Sequence, residues 1–197
     1  MAENARGKLV VVSGPSGAGK STLLARVLRQ AEVPLVMSVS ATTRPPRPGE
    51  RNGVDYHFLS RQAFAELRGR GEFLECFEVF GKGDWYGTLN SEVTPSLDRG
   101  KWVVLEIDVS GAAAVQAKYP EAISVFVHPG SIDELERRLR GRGTEDEPAV
   151  ARRLARARDE LASAGQYRHQ VINDDLDRAA GEVCDILKRY ADAAQRD

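Results

Sequence analysis

An α/β fold built on a buried, mostly parallel sheet is predicted by three observations on the sequence. Short strands apolar on both faces alternate with segments of helical spacing, a glycine-rich turn joins the first strand to the first helix, and the second half of the chain is helical. The prediction in full is a three-layer core behind a phosphate loop, a small β-rich insertion and a helical lid.

Lys8 to Ser13 is apolar on both faces, as strands of a parallel sheet are. From Ser21 onward Leu23, Leu24, Val27 and Leu28 recur at helical spacing, so the opening unit is strand, loop, helix. A second buried strand runs through Trp102, Val103, Val104, Leu105 and Ile107 and stops at Asp108; a third, Ile123 to Val127, ends at His128-Pro129-Gly130. Such alternation implies right-handed crossovers. Ser131 followed by Glu134 fits a capping box opening a helix with the apolar stripe Ile132, Leu135 and Leu139, which Gly141 and Gly143 interrupt. Another helix starts near Pro148 with Val150, Leu154, Ala157 and Leu161 on one face, and a last one covers Leu176 to Tyr190 with Val183 and Leu187 inward. Residues 38–98 read differently: Pro45, Pro46, Pro48, glycines, aromatics and short alternating stretches predict the β-rich insertion. The expected division is therefore a core of 1–37, 99–130 and 160–197, an insertion of 38–98 and a lid of 131–159.

Composition narrows the function classes. Over 197 residues, 28 Lys+Arg stand against 29 Asp+Glu, a net charge of −1, so the basic excess of a duplex nucleic-acid binder is missing. Yet 22 of those cations are Arg and only 6 are Lys, and Arg grips phosphate at two points. Cys76 and Cys184 form no disulfide framework, and together with the lack of a signal segment or a membrane-length apolar run they suit a reducing cytoplasm. Both read most simply as small buried hydrophobes. An association surface has the composition of a core, so a monomer and a homo-oligomer read alike.

Gly14-Pro15-Ser16-Gly17-Ala18-Gly19-Lys20-Ser21-Thr22 matches G-x-x-x-x-G-K-[ST]. A chance match in this length is on the order of one in a hundred, and the setting between a buried strand and a helix lowers it further. There, backbone N–H groups and the helix N-terminus converge on an anion, and the glycines permit the close approach. Lys20 reaches the β- and γ-phosphates of a nucleoside triphosphate and Ser21 places its hydroxyl on Mg²⁺. The loop does not name the acceptor.

Two arginine groups bear on that question. Arg44, Arg47 and Arg51 lie in a proline-stiffened segment that can present two forks at fixed separation; from spacing alone a phosphate clamp and a solvated loop are equally good readings. The second group holds eight arginines between Arg137 and Arg158. A hinged helical pair carrying Arg138, Arg142 and Arg153 is what a phosphoryl-transfer lid needs, whereas Arg137, Arg140, Arg152, Arg156 and Arg158 read equally as solvent-facing partners of Glu134, Glu136 and Asp159.

In order along the chain, GPSGAGKST, SVSATTRPPRPGERNGVDYHF, GEFLE, WYGT, LEIDVSG, RRLRGRGTEDE, ARRL and VINDDLD resemble the guanylate kinases, from about Lys8 to about Leu187. The resemblance implies transfer of the γ-phosphoryl of ATP to GMP, giving ADP and GDP, with Mg²⁺ as cofactor and no nucleic-acid or membrane partner. It implies that Arg44, Arg47, Tyr56 and Tyr86 hold the acceptor phosphate and that Ser40, Glu75 and Thr88 contact guanine. Asp108 would lie near the metal and the acceptor, Arg138, Arg142 and Arg153 would grip phosphates on lid closure, and Asn173 would flank the adenine. With Lys20 and Arg44, Arg142 and Arg153 make up the implied catalytic set. Chemistry agrees: guanine offers N1–H and a 2-amino group side by side, which one carboxylate accepts together and adenine lacks. An ionised phosphate is already a nucleophile, so catalysis reduces to alignment and charge stabilisation. His57, His128 and His169 then read as structural or exposed. The sequence departs from the family pattern at Gly81-Lys82-Gly83-Asp84-Trp85, which is long and carries Trp85, and at Ser110 and Thr88. Two rivals are an interaction module that keeps the fold without the chemistry and a phosphate-loop kinase for another acceptor; intact Lys20 and Ser21 disfavour the first, and Glu75 the second.

Overall fold

The computed structural model describes residues 6–79, 83–141 and 147–194. Gly81 and Lys82 of the long stretch, and Arg142 and Gly143 of the expected lid, lie outside the described residues.

β1 (Leu9–Ser13) is buried along its whole length and leads through the glycine-rich loop into α1 (Lys20–Gln30), followed by β2 (Leu35–Met37). The insertion segment then forms β3 (Ala41–Thr42), β4 (His57–Phe58), α2 (Arg61–Gly69), β5 (Phe73–Val79), β6 (Asp84–Leu89) and α3 (Asn90–Asp98). Next come β7 (Trp102–Glu106), α4 (Val109–Lys118) and β8 (Ile123–His128), the helices α5 (Ile132–Gly141) and α6 (Glu147–Ala162), a 3-10 turn at Ala164–Gln166, β9 (His169–Ile172) and α7 (Leu176–Ala194).

Five strands make one wholly parallel sheet in the order β2-β7-β1-β8-β9. Successive side chains of a strand point to opposite faces. Val10 and Val12 accordingly pack with Leu23, Leu24 and Val27 of α1 and Val183, Ile186 and Leu187 of α7, while Leu9 and Val11 pack with Val93 and Leu97 of α3 and Ala112 and Val115 of α4. That is the three-layer arrangement expected. Since β1 is central and its neighbours are reached by crossovers leading to opposite sides, the carboxyl ends of β1 and β7 border a crevice, the usual ligand position in such sheets.

The second sheet has the order β4-β3-β6-β5, with β5 and β6 antiparallel and a register shift between Phe73 and Glu75 that leaves Glu75 opposite Thr88. The β-rich reading of 38–98 omits α2 and α3. Each has only about two turns, too few inward positions to show a period. α2 is capped by Ser60, whose Oγ accepts from the Ala63 N–H at 3.1 Å, and its one buried side chain, Phe64, stacks on Phe73 with ring centroids 4.4 Å apart. α7 extends past Tyr190 to Ala194.

α5 and α6 share a separate apolar cluster of Leu135, Leu139, Val150, Leu154 and Ala157, with Ile132 against it. Ser131 Oγ accepts from the Glu134 N–H at 3.1 Å, one half of the expected capping box. The other half gives way because the Glu134 carboxylate takes Arg137 and Arg138, whose charges outweigh a backbone N–H. Among the described residues no helix is long and apolar enough to cross a membrane.

Candidate active site

The loop from Gly14 to Gly19 owes its path to glycine. Gly14 has φ 137°, and a Cβ there would stand 1.9 Å from the Val127 carbonyl oxygen; at Gly19, φ 83°, it would stand 2.6 Å from Asn173 Nδ2. No side chain caps α1 at Gly19, so its first N–H groups face the loop. Lys20 Nζ donates to the carbonyls of Gly14 at 2.6 Å and Pro15 at 3.1 Å. Burial lowers its pKa, against the pull of Glu106, Glu160 and Asp108. Ser21 Oγ donates to Glu106 Oε1 at 2.7 Å.

Other elements close over this loop. Asn173, following β9, donates from Nδ2 to the Ala18 carbonyl at 2.8 Å and accepts on its own carbonyl from Arg138 Nη2 at 2.7 Å. Arg153 Nη2 donates to Ser16 Oγ at 2.7 Å. Arg156, on the next turn of α6, donates from Nε to Glu160 Oε1 at 2.8 Å and places Nη2 3.7 Å from Asp108 Oδ2. Thr22 is exposed at the start of α1.

Across the crevice, Arg44 is held on all sides. Nη1 and Nη2 donate to the Glu50 carboxylate at 2.8 and 2.9 Å, Nε donates to Tyr86 Oη at 3.1 Å, and the guanidinium lies over the rings of Tyr56 (5.2 Å) and Phe58 (5.6 Å). Those bonds hold Glu50 at a pKa of about 2. Tyr56 and Tyr86 meet edge to face, and burial raises the Tyr56 pKa. Arg47 reaches Glu50 through its backbone N–H at 2.7 Å and is itself exposed, so the two forks are not equivalent.

Deeper in, Glu75 is 7% exposed, and Thr88 Oγ1 donates to its Oε1 at 2.7 Å. Burial, opposed by the Thr88 hydrogen bond and reinforced by the charge of Asp108, pushes the Glu75 carboxyl up to about 7. Asp108 caps α4, its Oδ1 accepting from the Gly111 N–H at 2.8 Å. A Cβ on Gly111 would stand 2.9 Å from Glu75 Oε2 and 3.4 Å from Asp108 Oδ1, so both carboxylates converge on this residue. Ser40 is half-buried, and its carbonyl accepts from the His57 N–H at 2.9 Å.

A phosphate loop backed by Lys20 thus faces a pre-aimed arginine and a buried carboxylate on the second sheet. The guanylate kinase family model matches residues 6–190. The chain belongs to the guanylate kinase family. It is 51% identical to a guanylate kinase of Rhodopirellula baltica over 92% of this chain and 87% of that one. Against a guanylate kinase of Rubrobacter xylanophilus it is 50% identical over 93% and 95%. The crystal structure of guanylate kinase from Anaplasma phagocytophilum superposes with a TM-score of 0.75 at 32% identity, covering 94% of this chain and 87% of that one.

Within this guanylate kinase fold, most residues singled out from the sequence border one crevice, with differences in detail at two carboxylates and one arginine. Asp108, expected near the metal and the acceptor, caps α4 and borders Glu75 at Gly111, while Glu106, ending β7, accepts from the Ser21 hydroxyl. Arg142 lies outside the described residues. Arg156, read as a solvent-facing partner, instead turns toward Asp108 and the buried Glu160, because α6 docks this face on the core. Glu50 and Glu106 were not singled out at all. The signal for Glu106 was a lone carboxylate closing an apolar strand, and for Glu50 an acid following two arginines in a proline-held loop.

Proposed function

We propose that this chain transfers the γ-phosphoryl of ATP to the phosphate of GMP, giving ADP and GDP, with the residues described above in assigned roles. The observation that carries the acceptor is the Glu75–Thr88 pair: a desolvated carboxylate, oriented by a hydroxyl, accepts N1–H and the 2-amino group of guanine together, and adenine offers no such pair. Ser40 completes the base contacts, while Arg44, Arg47, Tyr56 and Tyr86 receive the GMP phosphate, with Arg44 aimed in advance by Glu50.

On the donor side the N–H groups of 14–19 and Lys20 cradle the triphosphate, with Arg138 and Asn173 bordering it. Arg153, together with Arg142, places positive charge on the transferring group. Residues 131–159 act as the lid, 38–98 as the acceptor-binding insertion and the remainder as the core. Closing the lid excludes water, so that the GMP phosphate rather than hydroxide attacks in line.

The donor set suits Mg²⁺. Ser21 and Glu106 place a hydroxyl and a carboxylate side by side, oxygen donors of the kind Mg²⁺ takes, and would hold it. Bound there, Mg²⁺ would neutralise charge on the phosphates. The cysteines are both free, which agrees with a cytoplasmic location. Coupled ADP-release assays with GMP, AMP, CMP and UMP test the reading: ADP forms in an ATP-dependent reaction much faster with GMP, and equal rates with AMP overturn the acceptor assignment.

A further inference from the structure

The lid helix α6 carries two arginines on adjacent turns that reach different parts of the site. Arg153 meets the phosphate loop at Ser16, whereas Arg156 points beyond it, toward the acceptor side. Its guanidinium lies between Glu160, whose side chain is almost wholly buried, and Asp108, with Nε 2.8 Å from Glu160 Oε1 and Nη2 3.7 Å from Asp108 Oδ2. Asp108 in turn shares the space around Gly111 with Glu75. Two carboxylates converge there, one buried and one partly exposed, and like charges that close push each other out of position.

The cations available to offset them come from different elements. Lys20, from α1, is electrostatically coupled to Asp108, Glu106 and Glu160 but spends its hydrogen bonds on the loop carbonyls. Among the described residues, Arg156 reaches the Asp108 carboxylate itself, and it arrives on the lid helix. We propose that Arg156 is a positioning residue: with the lid hairpin docked it holds Asp108 away from Glu75, so that Glu75 keeps the orientation guanine requires, and lid docking is thereby coupled to acceptor affinity. Arg156 touches neither substrate. This inference rests on the proposed GMP kinase reading.

Steady-state kinetics on the full chain test it, with Arg156→Gln, which keeps a donor for Glu160 but drops the charge, and Arg156→Lys, which keeps the charge. For Arg156→Gln the KM for GMP rises about three- to tenfold, the range of one partly screened ion pair, while the KM for ATP and the melting temperature stay within error. Arg156→Lys restores most of the loss. In an Asp108→Asn background the same Arg156 substitution produces no further change in the KM for GMP, since the partner charge is gone. An unchanged KM for GMP, a parallel rise in both KM values, or additivity with Asp108→Asn overturns the inference. Wild-type chain that forms no ADP in response to GMP overturns the function reading and the inference with it; active wild type with a silent Arg156→Gln overturns the inference alone.

Discussion

Glu75→Gln is expected to give a protein that is more stable and nearly inactive. The Glu75 carboxyl rises from 4.5 to about 7 because burial outweighs its bond from Thr88. A folded-state value above the unfolded one means that ionisation costs the fold: the cost is absent below about pH 4.5, grows up to about pH 7, and is constant beyond. A rise of this size corresponds to about 3 kcal/mol as an upper figure, and relaxation around the ionised group brings the expected gain to about 1–3 kcal/mol. For a chain of this length that is an increase of about 2–12 °C in melting temperature at pH 8, vanishing near pH 4.5. The same change replaces an acceptor with a donor opposite the guanine N–H groups, which lowers kcat/KM for GMP about 10²–10⁴-fold. Xanthine, which sets C2=O beside N1–H, matches the amide better, so activity with XMP relative to GMP increases. Calorimetry at pH 4.5 and 8, with kinetics on both nucleotides, checks each part. A variant destabilised at pH 8, or one that retains its GMP preference, would refute the reasoning.

Lys20→Met is expected to reduce turnover at least about 10³-fold with little change in melting temperature, because burial already opposes the charge of Lys20 and its Nζ bonds go to loop carbonyls; a matching loss of the fold in calorimetry would show the lysine to be structural. Glu50→Gln removes the charge that aims the Arg44 fork, and the KM for GMP is expected to rise about three- to tenfold with a smaller change in kcat; an unchanged KM would mean that Tyr86 and the Tyr56 and Phe58 rings position Arg44 unaided.

How much of this could be read from the chain alone depended on sequence separation. The phosphate loop was readable because its nine residues are consecutive and its chemistry is mainly backbone. β1, β7 and β8 were readable because strands buried on both faces are nearly continuous apolar runs. Glu106 was not, because its place on Ser21 depends on β1 pairing with β7 across the whole insertion. Glu75 and Thr88 came through the family resemblance as separate guanine contacts; their pairing, two residues facing each other across β5 and β6 after a register shift, is a property of the folded hairpin. Eight arginines within 137–158 have similar spacing and charge, and only the docking of α6 separates Arg153 and Arg156, which face the crevice, from Arg137, which stays on the surface with Glu134. α3 was hidden for another reason: it is short and contains Pro95.

The central claim is a phosphoryl transfer to GMP from which water is excluded. Following a γ-labelled ATP phosphoryl group through single turnovers in the presence of GMP tests it most directly. The account predicts that the label appears in GDP, with inorganic phosphate a minor product and no comparable transfer when AMP replaces GMP. Label released chiefly as inorganic phosphate, or transferred equally well to AMP, would contradict it.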